Sequence, residues 1–160
     1  MSVRALDAGS FSLARELAQS SLGGTPYAVR VLAAMYDSAI NPGRESRALV
    51  VRSSDSEGLL GVIVFGEVAG TVGTGKLHFV GVTASARLLG VASRLIDAAI
   101  ADLAEENARF VLAELPDDPA IATIRELLLC NQFVEEARIP DFHADGVALV
   151  CFRREIVRGV

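Results

Sequence analysis

The chain has 160 residues, of which 51% are hydrophobic and 22% charged, with a formal net charge of −5. That length predicts one domain over residues 1–160, burying roughly 68–70% of the unfolded surface, and so much apolar material excludes general disorder. The acidic balance, 15 Lys+Arg against 20 Asp+Glu, argues against a binder of nucleic-acid phosphates, which carries a basic field.

Among the basic residues Lys76 is the one lysine, a weak mark of a GC-rich, bacterial genome. Cys130 and Cys151 lie far apart and fit neither a disulfide framework nor a zinc site. No metal is expected. Asp7 and Glu16 interrupt any signal-peptide pattern, and the apolar run Leu59 to Phe65 is too short to span a bilayer. A soluble cytoplasmic domain is the expectation.

In chain order, Ser2 to Leu6 reads as a strand, and Ser10 caps a helix through about Gln19. Gly23-Gly24 breaks it. Thr25-Pro26 opens a second helix, Thr as N-cap and Pro in the first turn, which Asn41-Pro42-Gly43 stops after Ile40. Arg47 to Arg52 and Leu59 to Val68 form a hairpin around Ser53 to Gly58. After the Gly-rich turn Ala69 to Gly75 comes a central strand, Lys76 to Val82. Leu89, Ala92, Leu95, Ile96, Ala99, Ile100 and Leu103 then recur at helical spacing, giving a long helix over about Gly90 to Asn107. Arg109 to Leu115 is an apolar strand, and Pro116 to Pro119 turns into a helix ending near Cys130. Phe133 to Arg138 and Val147 to Ile156 close the chain as strands around an Ile139 to Gly146 loop. The order β-α-α-β-β-β-α-β-α-β-β predicts an α/β (α+β) single domain: a mixed, mostly antiparallel twisted sheet with helices on both faces and one right-handed parallel crossover.

The chemistry concentrates in Val82-Thr83-Ala84-Ser85-Ala86-Arg87-Leu88-Leu89-Gly90-Val91-Ala92-Ser93. A strand end, a short loop and a helix start leave backbone N–H groups without intrahelical acceptors at the positive end of a dipole, a ready phosphate or pyrophosphate site. Gly90 lets a ligand approach the backbone, Ala92 avoids blocking it, and Arg87 adds a charge or holds the loop. The alternative is an ordinary strand-to-helix loop whose small residues serve packing.

Arg87-Leu88-Leu89-Gly90-Val91-Ala92 resembles the Gln/Arg-x-x-Gly-x-Gly/Ala pyrophosphate motif of the GNAT superfamily of acyl-CoA-dependent N-acyltransferases, and the element order around it follows that family over essentially the whole chain. The resemblance implies acetyl-CoA as co-substrate, with Leu88 to Ser93 on the pyrophosphate. It also implies pantetheine between two parting strands, bonded to backbone around Val80 and Val82. Gly81 suits either a bulge or close ligand approach there, or plain packing.

Amide formation needs a base for the amine proton and an acid for the departing thiolate. Strand alternation places His78, Val80 and Val82 on one face, with Leu77 and Phe79 on the other. An imidazole at that place suits proton acceptance at neutral pH; the alternative is a half-buried, hydrogen-bonded strand histidine. Lys76 to Val82 also resembles the corresponding strand of serotonin N-acetyltransferase, whose two histidines map onto Lys76 and His78. Histone-type members carry a glutamate at the Lys76 position. Glu67 is a second candidate base, through water, or else a solvated strand-end carboxylate. Tyr27 and His143 are candidate acceptor contacts, against a structural tyrosine and an exposed loop histidine. In the later helix, Leu128 stands where many family members carry the acid tyrosine, Gln132 stands for a glycine, and Ile121 for an asparagine.

The sequence therefore predicts an acetyl-CoA-dependent N-acetyltransferase acting on a small-molecule amine by direct attack. Neither nucleic acid nor membrane is expected as a partner, and a homodimer is left open. The alternative is a non-catalytic acyl-CoA-binding or interaction domain of the same fold, which Leu128 favours. A doubly wound mononucleotide fold is disfavoured, because it places its phosphate loop after the first strand.

Overall fold

Hydrophobic periodicity and turn chemistry set the elements of the computed structural model, which describes residues 1–23 and 25–157; Gly24 of the expected break lies outside them. The chain runs β1 (Ser2–Ala5), α1 (Ala8–Leu22), α2 (Ala28–Ile40), β2 (Arg47–Arg52), β3 (Leu59–Glu67) and β4 (Thr74–Val82). It continues through α3 (Val91–Glu105), β5 (Phe110–Pro116), α4 (Ala122–Cys130), β6 (Val134–Ala144) and β7 (Val147–Glu155). This is the predicted order.

Several boundaries move for local reasons. Asp7, not Ser10, caps α1: its Oδ1 accepts the Ser10 N–H at 2.8 Å, which holds the carboxyl below its ordinary value. Thr25 does not open α2. Its hydroxyl donates to the Leu22 carbonyl at 2.6 Å, and α2 begins at Ala28 with Tyr27 in the N-cap position. The expected loop from Ile139 is mostly strand, because β6 continues to Ala144 with an irregularity in its pairing to β7. Leu89 leaves the helix face it was assigned to and stands exposed before α3.

The seven strands lie in the order β1-β2-β3-β4-β5-β7-β6. All neighbours are antiparallel except β4 and β5, the parallel pair joined through α3. The near-continuous apolar run of β3 suits a strand covered on both faces. Val62 and Val64 pack with Ala14, Ala18, Val31 and Met35 of α1 and α2. Ile63 and Phe65 pack on the other face with Leu95, Ile96, Ala99 and Leu103 of α3, where Leu128 of α4 is also buried. Gly75 admits α3 closely: a Cβ there would lie 2.7 Å from a Leu103 methyl.

One departure reshapes the site. Val64 pairs with Phe79 but Phe65 pairs with Leu77, so His78 is an extra residue, a β-bulge in β4. The expected alternation is therefore broken. Leu77 and Val80 pack on the α3 side, whereas Phe79 packs with α1 and α2 and His78 faces α2 beside it. His78 does not share the face of Val80 and Val82.

At the end of α4, Gln132 takes φ +68°, a left-handed conformation that favours glycine. The Phe133 N–H then donates to the Leu128 carbonyl at 3.0 Å and closes the helix. Gln132→Gly relieves strain of about 1–2 kcal/mol against about 0.5–1 kcal/mol of added unfolded-state entropy. The variant should unfold at higher temperature than wild type in a thermal melt.

Candidate active site

β4 and β5 pair in register from Thr74↔Phe110 to Leu77↔Ala113 and no further. From Glu114 onward β5 pairs with β7 alone, so the β4 edge over His78 to Val82 has no strand partner among the described residues. Buried backbone groups require partners, and by the alternation of an antiparallel ladder this parted edge presents the backbone of Val80 and Val82, with Gly81 turned to β3. Gly81 also has a packing role: a Cβ would stand 2.6 Å from the Phe79 ring.

Beyond Val82 a 3-10 turn, Ala84 to Ala86, leads into Arg87, Leu88, Leu89 and Gly90. Gly90 adopts φ +70° at the N-cap of α3 and has no side-chain cap. No acceptor among the described residues takes the N–H groups of Leu88, Gly90, Val91, Ala92 or Ser93. A Cβ on Gly90 would meet nothing within 4 Å, so the space above that backbone is open. Arg87 is exposed, and Leu88 stands 99% exposed. Behind the loop, the Asn131 side-chain amide donates to Ser93 Oγ at 3.2 Å and to the Leu127 carbonyl at 2.9 Å, fixing the start of α3 against the end of α4. Sequence reading missed Asn131; its signal was a polar residue at an apolar helix end. The loop therefore has the donors, the dipole and the access that a pyrophosphate needs.

On the α2 side of the parted strands lies a cavity of about 410 Å³. It brings together Tyr27, His78 and His143, three of the expected residues. The Tyr27 and His143 rings meet edge to face at 5.2 Å, and Phe142 meets His143 at 5.0 Å. His143 Nε2 is buried without a hydrogen-bond partner.

His78 Nε2 lies 3.4 Å from the Glu45 carbonyl. A carbonyl only accepts, so Nε2 carries the proton and Nδ1 keeps the lone pair in the neutral ring. Gly66 permits this approach, because a Cβ there would collide with the Glu45 backbone. Burial is the main cause that pushes the His78 pKa below 6.5, with Lys76 and Arg30 adding to it. His143 shifts the same way, through burial and then Arg30.

Glu67 is not brought to this cavity. Its carboxylate accepts from Arg44 Nε at 2.8 Å, and Arg44 also approaches Glu106 just beyond α3. It follows Ile63 and Phe65 onto the α3 face, opposite His78. The carboxylate that does line the cavity is Glu114, paired with Lys76 Nζ at 2.7 Å. Its signal was a charged residue inside an apolar strand next to the strand of Lys76. Arg30 is a second residue the sequence reading missed; Tyr27, Arg30, Val31 and Ala34 share one face of α2. Among the described residues no group of three or more His, Cys, Asp or Glu is placed to hold a metal ion.

A mixed sheet parted between its parallel strands, with an anion-binding helix start on one side and a titratable cavity on the other, defines an acyl-CoA acyltransferase architecture. The sequence profile of the acetyltransferase (GNAT) family matches residues 15–127, and the chain belongs to that family. No curated protein matches the sequence. Among solved structures, a GNAT-family protein from Desulfovibrio desulfuricans superposes with a TM-score of 0.85 at 19% identity, over 96% of this chain and 98% of that one. An aminoglycoside 6'-N-acetyltransferase complexed with coenzyme A gives 0.79 at 13% identity, over 100% and 99%. A ribosomal-protein-alanine N-acetyltransferase from Brucella melitensis gives 0.76 at 13%, over 98% and 100%. At these identities the likeness is one of fold.

Gly90→Leu should weaken coenzyme A binding at least tenfold, about 1.4 kcal/mol, measured by calorimetry. Unchanged affinity with the fold intact removes the loop from the coenzyme site.

Proposed function

We infer that this protein transfers the acetyl group of acetyl-CoA to a primary amine of a small molecule by direct attack. The observation that carries the reading is the parted β4–β5 pair. On one side lie free N–H groups at Leu88 and at Gly90 to Ser93; on the other lies a cavity holding a half-buried imidazole held toward neutrality.

The pyrophosphate takes the donors of Leu88 to Ser93, and pantetheine takes the backbone of Val80 to Val82 along the parted edge. The thioester then faces the cavity. An amine arriving there as its ammonium gives a proton to His78, directly or through water, and its lone pair attacks the thioester carbonyl. The carbon–sulfur bond then breaks, and the surplus proton on the attacking nitrogen is released to water, leaving an amide and the coenzyme thiolate. Leu128 is 1% exposed in the core behind β4 and supplies no proton, so the thiolate takes its proton from water. The reading places the enzyme in the cytoplasm; no helix of the described residues is long and apolar enough to cross a membrane.

Leu128 also favours a second reading, a domain that binds acyl-CoA without turnover. Release of free coenzyme thiol above background hydrolysis, across a broad amine panel, supports the enzyme. Tight acetyl-CoA binding with no release from any amine supports the binder.

His78→Gln should lower the rate by about 10²–10⁴-fold while coenzyme affinity holds. Because burial lowers the folded pKa below 6.5, the ring is the free base at pH 7. The rise of kcat/KM with pH should therefore occur below 6.5 in wild type and vanish in the variant, with the same acceptor in both. Near-wild-type activity with an unchanged profile makes His78 structural.

A further inference from the structure

The acceptor cavity has a definite charge. Its one lining carboxylate, Glu114, is held by Lys76 at 2.7 Å. The remaining charged lining residue is Arg30, which has no ion pair or hydrogen bond among the described residues. By contrast Arg44, Arg47, Arg125, Arg138, Arg153 and Arg154 are all ion-paired. With both histidines held toward neutrality, the cavity carries one uncompensated positive charge at neutral pH.

We propose that the acceptor is an amine that also carries an anionic group, of the amino-carboxylate class, with the anion held by Arg30 and the amine end at His78. The inference rests on the acetyl-transfer reading and narrows its substrate.

Three observations agree on this orientation. Arg30 and Glu114 are exposed at the cavity rim, whereas His78 and Lys76 are half-buried within it. Arg30 itself lines the cavity together with both histidines. His143 lines the wall with its ring edge to face against Tyr27, and burial holds it toward neutrality, so its end of the cavity offers no second positive charge.

Arg30 sits in the first turn of α2, where Tyr27 offers no side-chain cap, and the helix dipole adds positive potential there. A guanidinium bonds a carboxylate in two places, which also fixes how far the amine reaches inward. A cavity of about 410 Å³ accommodates a molecule of that size beside an acetyl group. A polycationic acceptor such as an aminoglycoside needs free carboxylates; here it meets Arg30 and a carboxylate already neutralised by Lys76.

The test compares α-, β- and ω-amino carboxylates with their primary amides and with an aminoglycoside, using acetyl-CoA and thiol release. In wild type, the best carboxylate should show kcat/KM about tenfold or more above its amide, equivalent to about 1.4 kcal/mol. Arg30→Ala should raise KM for the carboxylate by a similar factor, several-fold more than for the amide, and Arg30→Lys should recover part of the loss.

Amides or the aminoglycoside turning over as well as the carboxylates, or an Arg30→Ala variant indifferent to the carboxylate, overturns the charge assignment while acetyl transfer stands. No turnover of any acceptor, with acetyl-CoA bound in calorimetry, overturns the transferase reading and this inference with it.

Discussion

The site depends on a failure of pairing. Two parallel strands, β4 and β5, share hydrogen bonds through Leu77 and Ala113 and then separate, while β5 keeps β7 along its whole length on the other edge. A strand edge left without a partner inside a sheet is costly unless something supplies donors and acceptors. In the proposed reading, the free edge from Val80 to Val82 is completed by the amide groups of the bound coenzyme. The same parting opens a passage between the two faces of the sheet, so that a thioester held from one side can meet an amine held on the other.

The two faces are built differently for that purpose. On the α3 side, Ile63, Phe65, Leu77, Leu95, Ile96 and Leu128 make a dry core, and it anchors a helix whose first turn is left free of caps. Rigidity matters there because the N–H groups have to point together. Asn131 adds to it by tying the Ser93 hydroxyl to the end of α4. On the α2 side, the cavity interrupts the second core, and its walls come from α2, β4, β5, β6 and β7, with charged groups that act on one another. Burial, Lys76 and Arg30 keep His78 neutral, which turns a strand histidine into a usable base. Protonating it would return part of the burial cost, so stability drawn from its neutral form declines as pH falls below about 6.5.

The comparison structures act on chemically different acceptors by name, an aminoglycoside and a ribosomal protein, on one fold. Fold does not decide the acceptor, and in the proposed reading that choice falls to the side chains lining the cavity. In this chain those side chains are dominated by the Lys76–Glu114 pair and by Arg30.

The phosphate loop was legible in the sequence because its information is local: a strand end, a glycine able to take φ +70° and a following helical period lie within about a dozen residues. The order of elements was legible for the same reason, each being announced by its own period and its own breakers. The bulge at His78 was not, since a two-against-one count exists only between partner strands, and alternation along a single strand predicts the opposite face. Glu67 read as a candidate base from its place at a strand end, yet tertiary packing gave it to Arg44 on the far face. Glu114 and Arg30 looked ordinary in sequence and became the charges of the cavity through contacts across many intervening residues. The chain alone determined the uncapped helix start with its free N–H groups, because neighbouring residues build it; only the tertiary structure decided what lines the cavity, because packing brings those groups together from distant segments.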